Sequence, residues 1–505
     1  MPILLTALLA STAMAVAVTP MLLRFLLARG IYGHARVKEG VEHRPVPRLG
    51  GVAVCVATTA GVVLAAPTAN AQLGLERPLA FFGGLLLAAW LLFAAGVVDD
   101  LYNLPPRTKL AAQIAAALMA WTFGFRIEHF TLLGTLDLGA LSLPVTLLWI
   151  VGVSNAFNLI DGLDGLATGI GLVAASTTLA VSLAVGNWEV ATVCAALAGA
   201  LLGFLRFNVR PARIFLGDSG SLFIGFLLAV LSVHGATKSA AAVLTVVPLL
   251  VLALPLIDTA LAIVRRWLRG RPIFGADERH LHHRLVAIGL THTRAAVLLF
   301  VMAAGLAIFG LMLFFAPHGA VVWIAVSGGA ACLALLLFGI KRLGYHEFVE
   351  AGAVVAGGAS RLRSAIRDRI HARDVAQVVA QAESVQHLRA ILTDNAEVMG
   401  LLELTFCRCS DTDGGRAALP PWHAAAALKM DFPVAEGHYD ADPWVLRAWC
   451  DGSDPLALPG AVRTVHLLAE AVREWLAHGP RRAPARPTEA PARVPFPIAS
   501  ESPAW

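Results

Sequence analysis

The feature that most constrains this chain is a succession of long apolar runs between residues 3 and 340. A helix needs about 20 apolar residues to cross the hydrocarbon core of a bilayer, and about eleven runs approach that length. Of the 505 residues, 57% are hydrophobic and only 14% are charged, whereas soluble proteins carry about 25% charged residues. We therefore predict an all-α polytopic membrane protein. Its predicted spans are 3–28, 49–66, 79–98, 108–124, 141–157, 165–185, 189–206, 216–234, 243–264, 295–316 and 320–340.

Cationic side chains distinguish the two ends of this predicted bundle. The loops at 29–48, 206–215 and 265–294 contain several Arg or Lys residues, whereas the alternate loops contain few. Because loops rich in Lys and Arg remain in the cytoplasm, the N-terminus is predicted to lie outside and the C-terminus inside. The net charge of +5 is small for this length and gives no indication of nucleic-acid binding.

The composition changes to that of an ordinary soluble protein after Lys341 and Arg342. Residues 361–373 have the pattern of a basic amphipathic helix at a membrane surface, and residues 461–477 that of an amphipathic helix. A regulatory or docking module and a passive extension both fit this region. We predict a membrane domain at 1–344, a cytosolic α/β domain of unknown role at 345–479 and a disordered Pro- and Ala-rich tail at 480–505.

Acidic side chains and histidines concentrate at the predicted cytoplasmic ends of the spans. They are Asp99, Asp100, Asp161, Asp164, Asp218, His280, His282 and His283. Carboxylates suit a hard cation such as Mg²⁺, which prefers oxygen ligands and substrate phosphates, and the glycines of GDSGS and DGLDG would let backbone amides approach phosphate. Lys109, Arg279 and the histidines could neutralise a diphosphate. The set therefore indicates metal-assisted phosphoryl transfer at a membrane.

Each of these features has a simpler interpretation when it is taken alone. An aspartate at a helix end is often an N-cap, and the HLHH run at 280–283 is by itself more typical of a solvated loop. An ion-coupled carrier would also contain intramembrane carboxylates, but carriers place them near the bilayer midplane and often contain inverted repeats. No repeat is visible here. Because the motifs occur together on one predicted face, they favour an enzyme.

Five segments carry a resemblance to a known family. They are HRPVPRLGG (43–51), DDLYNLPPRTKLAAQ (99–113), NAFNLIDGLDGLATG (155–169), FNVRPARIFLGDSGS (207–221) and ERHLHHRL (278–285). Here the sequence resembles the polyprenyl-phosphate N-acetylhexosamine-1-phosphate transferases, the family of WecA, TagO and MraY. The resemblance covers about residues 1–340. It implies a helical bundle in the bacterial plasma membrane with a cytoplasmic cleft, Mg²⁺ or Mn²⁺ as cofactor and release of UMP.

The resemblance also assigns roles to positions of this sequence. Asp99 matches the carboxylate proposed to deprotonate the lipid phosphate, with Asp100 beside it. Asp218 matches an aspartate that binds Mg²⁺, and Asp161 lies near that metal. Asp164 and Phe215 match positions that hold the uracil ring. The residues that match polar positions of the nucleotide and phosphate pocket are Lys109, Asn155, Asn158 and Asn208.

The histidine motif resembles the WecA/TagO branch of the family. Residues 280–284 read His-Leu-His-His-Arg, which implies UDP-N-acetylglucosamine as donor and undecaprenyl or another polyprenyl phosphate as acceptor, in the initiating step of cell-envelope polysaccharide synthesis. The segment 33–36 departs from the usual pattern, so the exact N-acetylhexosamine stays open. We expect contact with membrane lipid, a homodimer and no nucleic-acid partner.

Overall fold

The computed structural model describes residues 2–32, 46–73, 78–131, 135–237, 242–268, 280–342, 362–396, 399, 401–408, 427–434, 444–451 and 458–478. Its contacts divide the chain into two units. The first contains Met1–Trp267 and Arg271–Gly344, and the second contains Leu268–Gly270 and Tyr345–Trp505. Arg279, the segment 345–361 and the predicted tail at 480–505 lie outside the described residues.

Helices occupy every apolar run of the first unit. They are α1 Pro2–Arg29, α2 Gly50–Leu73, α3 Pro78–Tyr102, α4 Pro106–Thr122, α5 Ser142–Ile160, α6 Leu166–Ala184, α7 Trp188–Asn208, α8 Gly217–Thr237, α9 Ala242–Val251, α10 Ala253–Leu268, α11 Leu281–Ala287, α12 His292–Phe315 and α13 His318–Arg342. A short antiparallel hairpin, β1 His129–Thr131 and β2 Thr135–Asp137, joins α4 to α5 through the 3₁₀ turn Gly139–Leu141.

Eight helices of the described residues are long and apolar enough to cross a membrane. They are Pro2–Arg29, Ala80–Tyr102, Gly139–Ile160, Leu166–Ala184, Trp188–Asn208, Gly217–His234, His292–Phe315 and Gly319–Gly339. The prediction of a helical, polytopic membrane protein is confirmed. The prediction of about eleven crossings is not settled by this count, because α2, α4 and the α9–α10 pair also follow predicted spans.

The structure divides the predicted span at 243–264 into α9 and α10, with a single turn residue, Leu252, between them. Proline has no N–H and removes a helical hydrogen bond. Pro255 stands four residues after Val251, so the carbonyl of Val251 has no i+4 donor. Pro248 lies inside α9 and likewise leaves the carbonyl of Leu244 without its i+4 donor, two turns earlier. Helix α10 carries a buried aspartate, Asp258, that is described below.

Helix α8 packs against α2, α3 and α5 and is buried over most of its length. Small residues allow this close packing, as is common between helices in lipid. A Cβ added at Gly225 of α8 would lie 2.9 Å from the Cα of Ser154 on α5. The N-terminus of α8 is thereby held among the ends of three other helices.

The second unit contains a three-stranded antiparallel sheet and three helices. The strands are β3 Glu403–Arg408, β4 Ala427–Pro433 and β5 Trp444–Asp451, in the order β3–β5–β4, and the helices are α14 Leu362–Val379, α15 Val385–Asn395 and α16 Leu458–His478. Leu404, Phe406 and Leu446 of the sheet share an apolar core with Leu388 and Leu468 of the helices. The alternating buried positions of β3 explain why one sheet face packs on helices.

Candidate active site

The carboxylate of Asp100, near the end of α3, holds the first turn of α8. One oxygen accepts a hydrogen bond from the backbone N–H of Asp218 at 2.8 Å. The other accepts from the backbone N–H of Ser219 at 3.0 Å and from its hydroxyl at 2.6 Å. The first N–H groups of a helix have no intrahelical partner, and a carboxylate also complements the positive end of the helix dipole. Asp100 therefore sets the position of Asp218.

Glycines let this turn of α8 fit between α2 and α3. Gly217 has a φ of +75°, a left-handed conformation that glycine adopts without steric cost. A Cβ there would collide with the carbonyl oxygen of Arg48 and lie 2.6 Å from the carboxylate of Asp100. A Cβ on Gly96 of α3 would lie 2.5 Å from the Cα of Ser219. The sequence suggested that amides of GDSGS approach phosphate; those of Asp218 and Ser219 instead bind Asp100.

Replacing Asp100 with alanine is expected to lower transfer activity and thermal stability together. The buried N–H groups of Asp218 and Ser219 would lose their acceptor, and each unsatisfied buried donor costs about 1–3 kcal/mol. Unfolding midpoints and activity in detergent measure both effects. Asp137→Ala is the control, because Asp137 is an exposed aspartate of the β1–β2 hairpin. An inactive Asp100→Ala protein with a wild-type midpoint would assign Asp100 a direct chemical role instead.

Lys109 of α4 joins two carboxylates from different helices. Its Nζ lies 2.5 Å from Oδ2 of Asp99 on α3 and 2.6 Å from Oδ2 of Asp218 on α8. Asp99 is buried, whereas Lys109 and Asp218 retain about a quarter to a third of their side-chain exposure. The other oxygen of Asp99 accepts from the backbone N–H of Leu104 at 2.7 Å. The structure thus brings together three predicted site residues around one cationic position.

Two asparagines of α5 extend this polar cluster. Asn158 donates to the hydroxyl of Ser221 at 2.9 Å, and Ser221 in turn donates to the carbonyl of Gly217. Asn155 and Gln113 exchange two amide hydrogen bonds, at 2.8 and 3.1 Å. Both asparagines are half-buried. Asn158 therefore lies at the first turn of α8, next to Asp218.

The DGLDG loop at 161–165 connects α5 to α6 beside this cluster. Desolvation, followed by the negative charges of Asp218 and Asp100, raises the pKa of Asp161 to about 8. The charge of Asp218 is thus near enough to Asp161 to contribute to this rise in pKa. Asp164 points to the neighbouring loop, where its Oδ2 accepts from the backbone N–H of Ala212 at 3.2 Å. A bound cation near Asp161 would favour its ionised form.

Asn208 does not line an open pocket, contrary to the expectation from the sequence. It is 2% exposed, and its amide is used within the protein. The oxygen accepts from the hydroxyl of Thr168 at 2.7 Å, and the nitrogen donates to the carbonyl of Ile214 at 3.0 Å. Asn208 therefore supports the loop before α8. Phe215 lies in that loop and is half-buried, and its backbone binds Pro47 and Gly50.

The histidines lie at the start of α11, close to the DGLDG loop. The rings of His280 and His282 are stacked at 6.0 Å, and those of His282 and His283 are 4.2 Å apart. A Cβ added at Gly162 would collide with the ring of His282, so the two residues are in close contact. Burial, with the neighbouring His283, lowers the pKa of His282 to about 4. Burial therefore favours the neutral ring, whereas a neighbouring phosphate would favour the cation, and the neutralising role of His282 stays a prediction.

The donor set suits a magnesium ion that also binds substrate phosphate. In the part of the chain that the structure describes, no three His, Cys, Asp or Glu side chains form a complete ligand cluster. Mg²⁺, however, usually takes one or two carboxylates and completes its octahedron with water and substrate phosphates. The Oδ2 atoms of Asp99 and Asp218 already contact one ammonium group. Asp218, with Asp161 within electrostatic range of it, therefore fits a cation site that substrate phosphate would complete.

Four polar residues of the site were not singled out in the sequence. They are Gln113, Ser219, Ser221 and Asp258. The first three lie within the motifs DDLYNLPPRTKLAAQ and FLGDSGS, but only their hydrogen bonds distinguish them from their neighbours. Asp258 carried a clearer signal, because it is a carboxylate inside an apolar helix, and such residues are functional candidates in membranes.

A helical membrane bundle with carboxylates, amides and histidines gathered at helix ends defines a membrane-embedded enzyme for phosphate-containing substrates. The comparisons with known proteins give the family. The chain belongs to glycosyl transferase family 4, whose family model matches residues 82–236. The relatives described next confirm the resemblance to polyprenyl-phosphate N-acetylhexosamine-1-phosphate transferases.

Three relatives illustrate the similarity. The "Decaprenyl-phosphate N-acetylglucosaminephosphotransferase" of Mycobacterium tuberculosis (strain ATCC 25618 / H37Rv) is 35% identical over 350 residues, 62% of this chain and 84% of the relative. The "Probable undecaprenyl-phosphate N-acetylglucosaminyl 1-phosphate transferase" of Bacillus subtilis (strain 168) is 32% identical over 312 residues, 61% of this chain and 83% of the relative. The "Undecaprenyl-phosphate alpha-N-acetylglucosaminyl 1-phosphate transferase" of Yersinia pestis is 29% identical over 310 residues, 59% of this chain and 80% of the relative.

Proposed function

We propose that the protein transfers N-acetylglucosamine 1-phosphate from UDP-N-acetylglucosamine to a polyprenyl phosphate, giving a polyprenyl-diphosphate sugar and UMP. The observation that carries the proposal is the contact of Asp99 and Asp218 with the single ammonium group of Lys109. All three lie within the segment that the family model matches. Relatives named for this transfer to undecaprenyl or decaprenyl phosphate support the same reaction here.

The reaction breaks the bond between the two phosphates of the donor. An oxygen of the acceptor phosphate attacks the β-phosphorus of the UDP-sugar, and UMP leaves with the bridging oxygen. Asp99 would take the proton that remains on a monoanionic acceptor. Its position near the end of α3 suits an acceptor whose headgroup lies at the membrane boundary and whose tail lies in lipid. Lys109 would neutralise negative charge on the diphosphate.

The remaining polar residues would bind the donor and the cofactor. Asp218, with Asp161, would hold Mg²⁺ or Mn²⁺, which supplies positive charge to the phosphate oxygens when it is bound. Asp164 and Phe215 would hold the uracil ring, with Asn158 on the phosphate side. These roles rest on the family motifs and on the proximity of the DGLDG loop to α8.

The histidine segment would complete the diphosphate site. Because burial lowers the pKa of His282 to about 4, we assign it hydrogen bonding to the diphosphate rather than a charge. His280 and His283 lie on either side of it at the start of α11, and Arg279 precedes them in the sequence. The membrane setting suits the first step of cell-envelope polysaccharide synthesis, at the plasma membrane. We further propose that the enzyme acts as a homodimer.

The proposed function is tested with purified protein in detergent. Radiolabelled UDP-N-acetylglucosamine and polyprenyl phosphate are supplied with Mg²⁺, and mass spectrometry identifies the lipid product. The expected result is a polyprenyl-diphosphate N-acetylhexosamine with one UMP released per product. A panel of UDP-N-acetylhexosamines identifies the preferred sugar. Uptake of UDP-sugar into proteoliposomes without a lipid product would instead indicate a carrier.

The site is expected to face the cytoplasm. Cysteines introduced at 67–78 or 125–140 should react with an impermeant maleimide added to intact cells, and cysteines at 30–48 or 270–290 should not, because the positive-inside rule places the basic loops in the cytoplasm. The protected positions should react once the cells are permeabilised. Labelling of the loop before His280 from outside intact cells would contradict this orientation.

A further inference from the structure

Asp258 is a buried carboxylate whose role none of the motifs explains. It lies on α10 in the apolar sequence LPLIDTALAIV and is 3% exposed. Its Oδ1 accepts from the backbone N–H of Leu281 at 2.9 Å, and its Oδ2 lies 3.1 Å from Nδ1 of His280. Both partners belong to the histidine segment, 22 and 23 residues further along the chain.

These two hydrogen bonds determine how α11 begins. His280 is the N-cap of α11, but its side chain makes no capping bond. The carboxylate of Asp258 supplies the capping hydrogen bond instead, because it accepts from the backbone N–H of Leu281. This N–H group is one of those that have no partner within a helix. Because a carboxylate oxygen accepts hydrogen bonds, we assign the proton of this pair to Nδ1 of His280. The opposite ring nitrogen, Nε2, is therefore turned away from Asp258.

A chain of side-chain contacts connects His280, through His282, to the DGLDG loop at 161–165. The rings of His280 and His282 are nearly parallel, with an interplanar angle of 6°. His282 is 3% exposed and packs on Gly162, the neighbour of Asp161. Neither ring nitrogen of His282 has a hydrogen-bond partner among the described residues. Buried polar atoms are almost always satisfied, so these nitrogens point to a ligand at the DGLDG loop.

We propose that Asp258 is a positioning residue that orients His280 and, through the first turn of α11, holds His282 against the DGLDG loop for contact with the substrate diphosphate. The proposal rests on the proposed function, because it requires that His282 act at the reaction site. Asp258 itself is separated from the substrate by His280. Its effect on turnover is therefore transmitted through the two histidines.

The test measures kcat and unfolding midpoints for Asp258→Asn, Asp258→Ala, His282→Ala and the Asp258→Asn/His282→Ala double variant. Asparagine keeps an acceptor for Leu281 but presents an NH₂ group to Nδ1 of His280, which reverses the ring tautomer. We expect Asp258→Asn to unfold like the wild type while kcat falls about 10–100-fold, the usual effect of losing a residue that orients a functional histidine. In the His282→Ala background, Asp258→Asn should cause little further loss.

Thr192→Val is the control, because the hydroxyl of this buried threonine donates to the carbonyl of Trp188 within α7; it should retain wild-type kcat. If Asp258→Asn has wild-type turnover while Asp258→Ala loses stability, Asp258 acts only as the N-terminal cap of α11. That outcome would overturn the proposal. Fully multiplicative losses in the double variant would also overturn it. Full activity of His282→Ala would remove the histidine from the proposed site, whereas absence of transfer by the wild type would refute the proposed function itself.

Discussion

Asp218→Ala is expected to abolish transfer at any Mg²⁺ concentration while the protein remains folded in detergent. Asp218 lies in the first turn of α8 and is the carboxylate proposed to hold the cation. Loss of a metal contact should remove several kcal/mol of charge stabilisation from the transferring phosphate. The measurements are product formation across a Mg²⁺ titration, Mn²⁺ binding by electron paramagnetic resonance and the unfolding midpoint.

Asp137→Ala is the matched control for Asp218→Ala. It removes a carboxylate from the exposed β1–β2 hairpin, away from the cluster around Lys109, and should leave activity and Mn²⁺ binding unchanged. Residual transfer above a few per cent in Asp218→Ala would show that another group is the principal ligand. Asp161 would then be tested next, because it lies within electrostatic reach of Asp218.

Asp99→Asn is expected to lower turnover by about 10²–10⁴ at neutral pH, the range for removal of a general base. UDP-sugar binding should be nearly unchanged. Asparagine keeps an acceptor for the N–H of Leu104, so the end of α3 should remain folded. A phosphate monoester has a second pKa near 6. The acceptor is therefore increasingly a dianion as the pH rises, and the loss in Asp99→Asn should shrink towards pH 9.

The structure also contains the competing explanation for Asp99, which is that it orients Lys109. Asp99 and Asp218 both bind that ammonium group. Lys109→Gln separates the two roles, because it removes the ammonium but leaves the Asp99 carboxylate in place. A loss in Asp99→Asn that persists undiminished at pH 9, or a parallel fall in Mg²⁺ or nucleotide affinity, would assign Asp99 to positioning. Asp100 would not take over the role of general base in that case, because both of its carboxylate oxygens already bind the first turn of α8.

The sequence alone predicted the helices and the end of the bundle where chemistry would occur. Apolar runs predict spans because lipid offers no partners for backbone polar groups, so each segment must satisfy its own hydrogen bonds. Pro248 and Pro255 in the sequence also favour the interruption between α9 and α10. The length of the apolar run nevertheless led to the prediction of one span. Asp99, Lys109 and Asp218 were identified from motifs, and the structure places them together.

The individual roles within the site depended on contacts that no local pattern contains. Asp99 and Asp100 are adjacent in sequence, yet the first binds Lys109 and the second caps α8. Asn208 matches a pocket residue by motif, but its amide accepts from Thr168 and donates to Ile214 inside the protein. Asp258 of α10 binds His280, which lies 22 residues further along the chain. The apolar pattern determined which segments cross the membrane, whereas only the tertiary structure decided which polar group satisfies which, because hydrogen-bond partners are set by distance in space rather than along the chain.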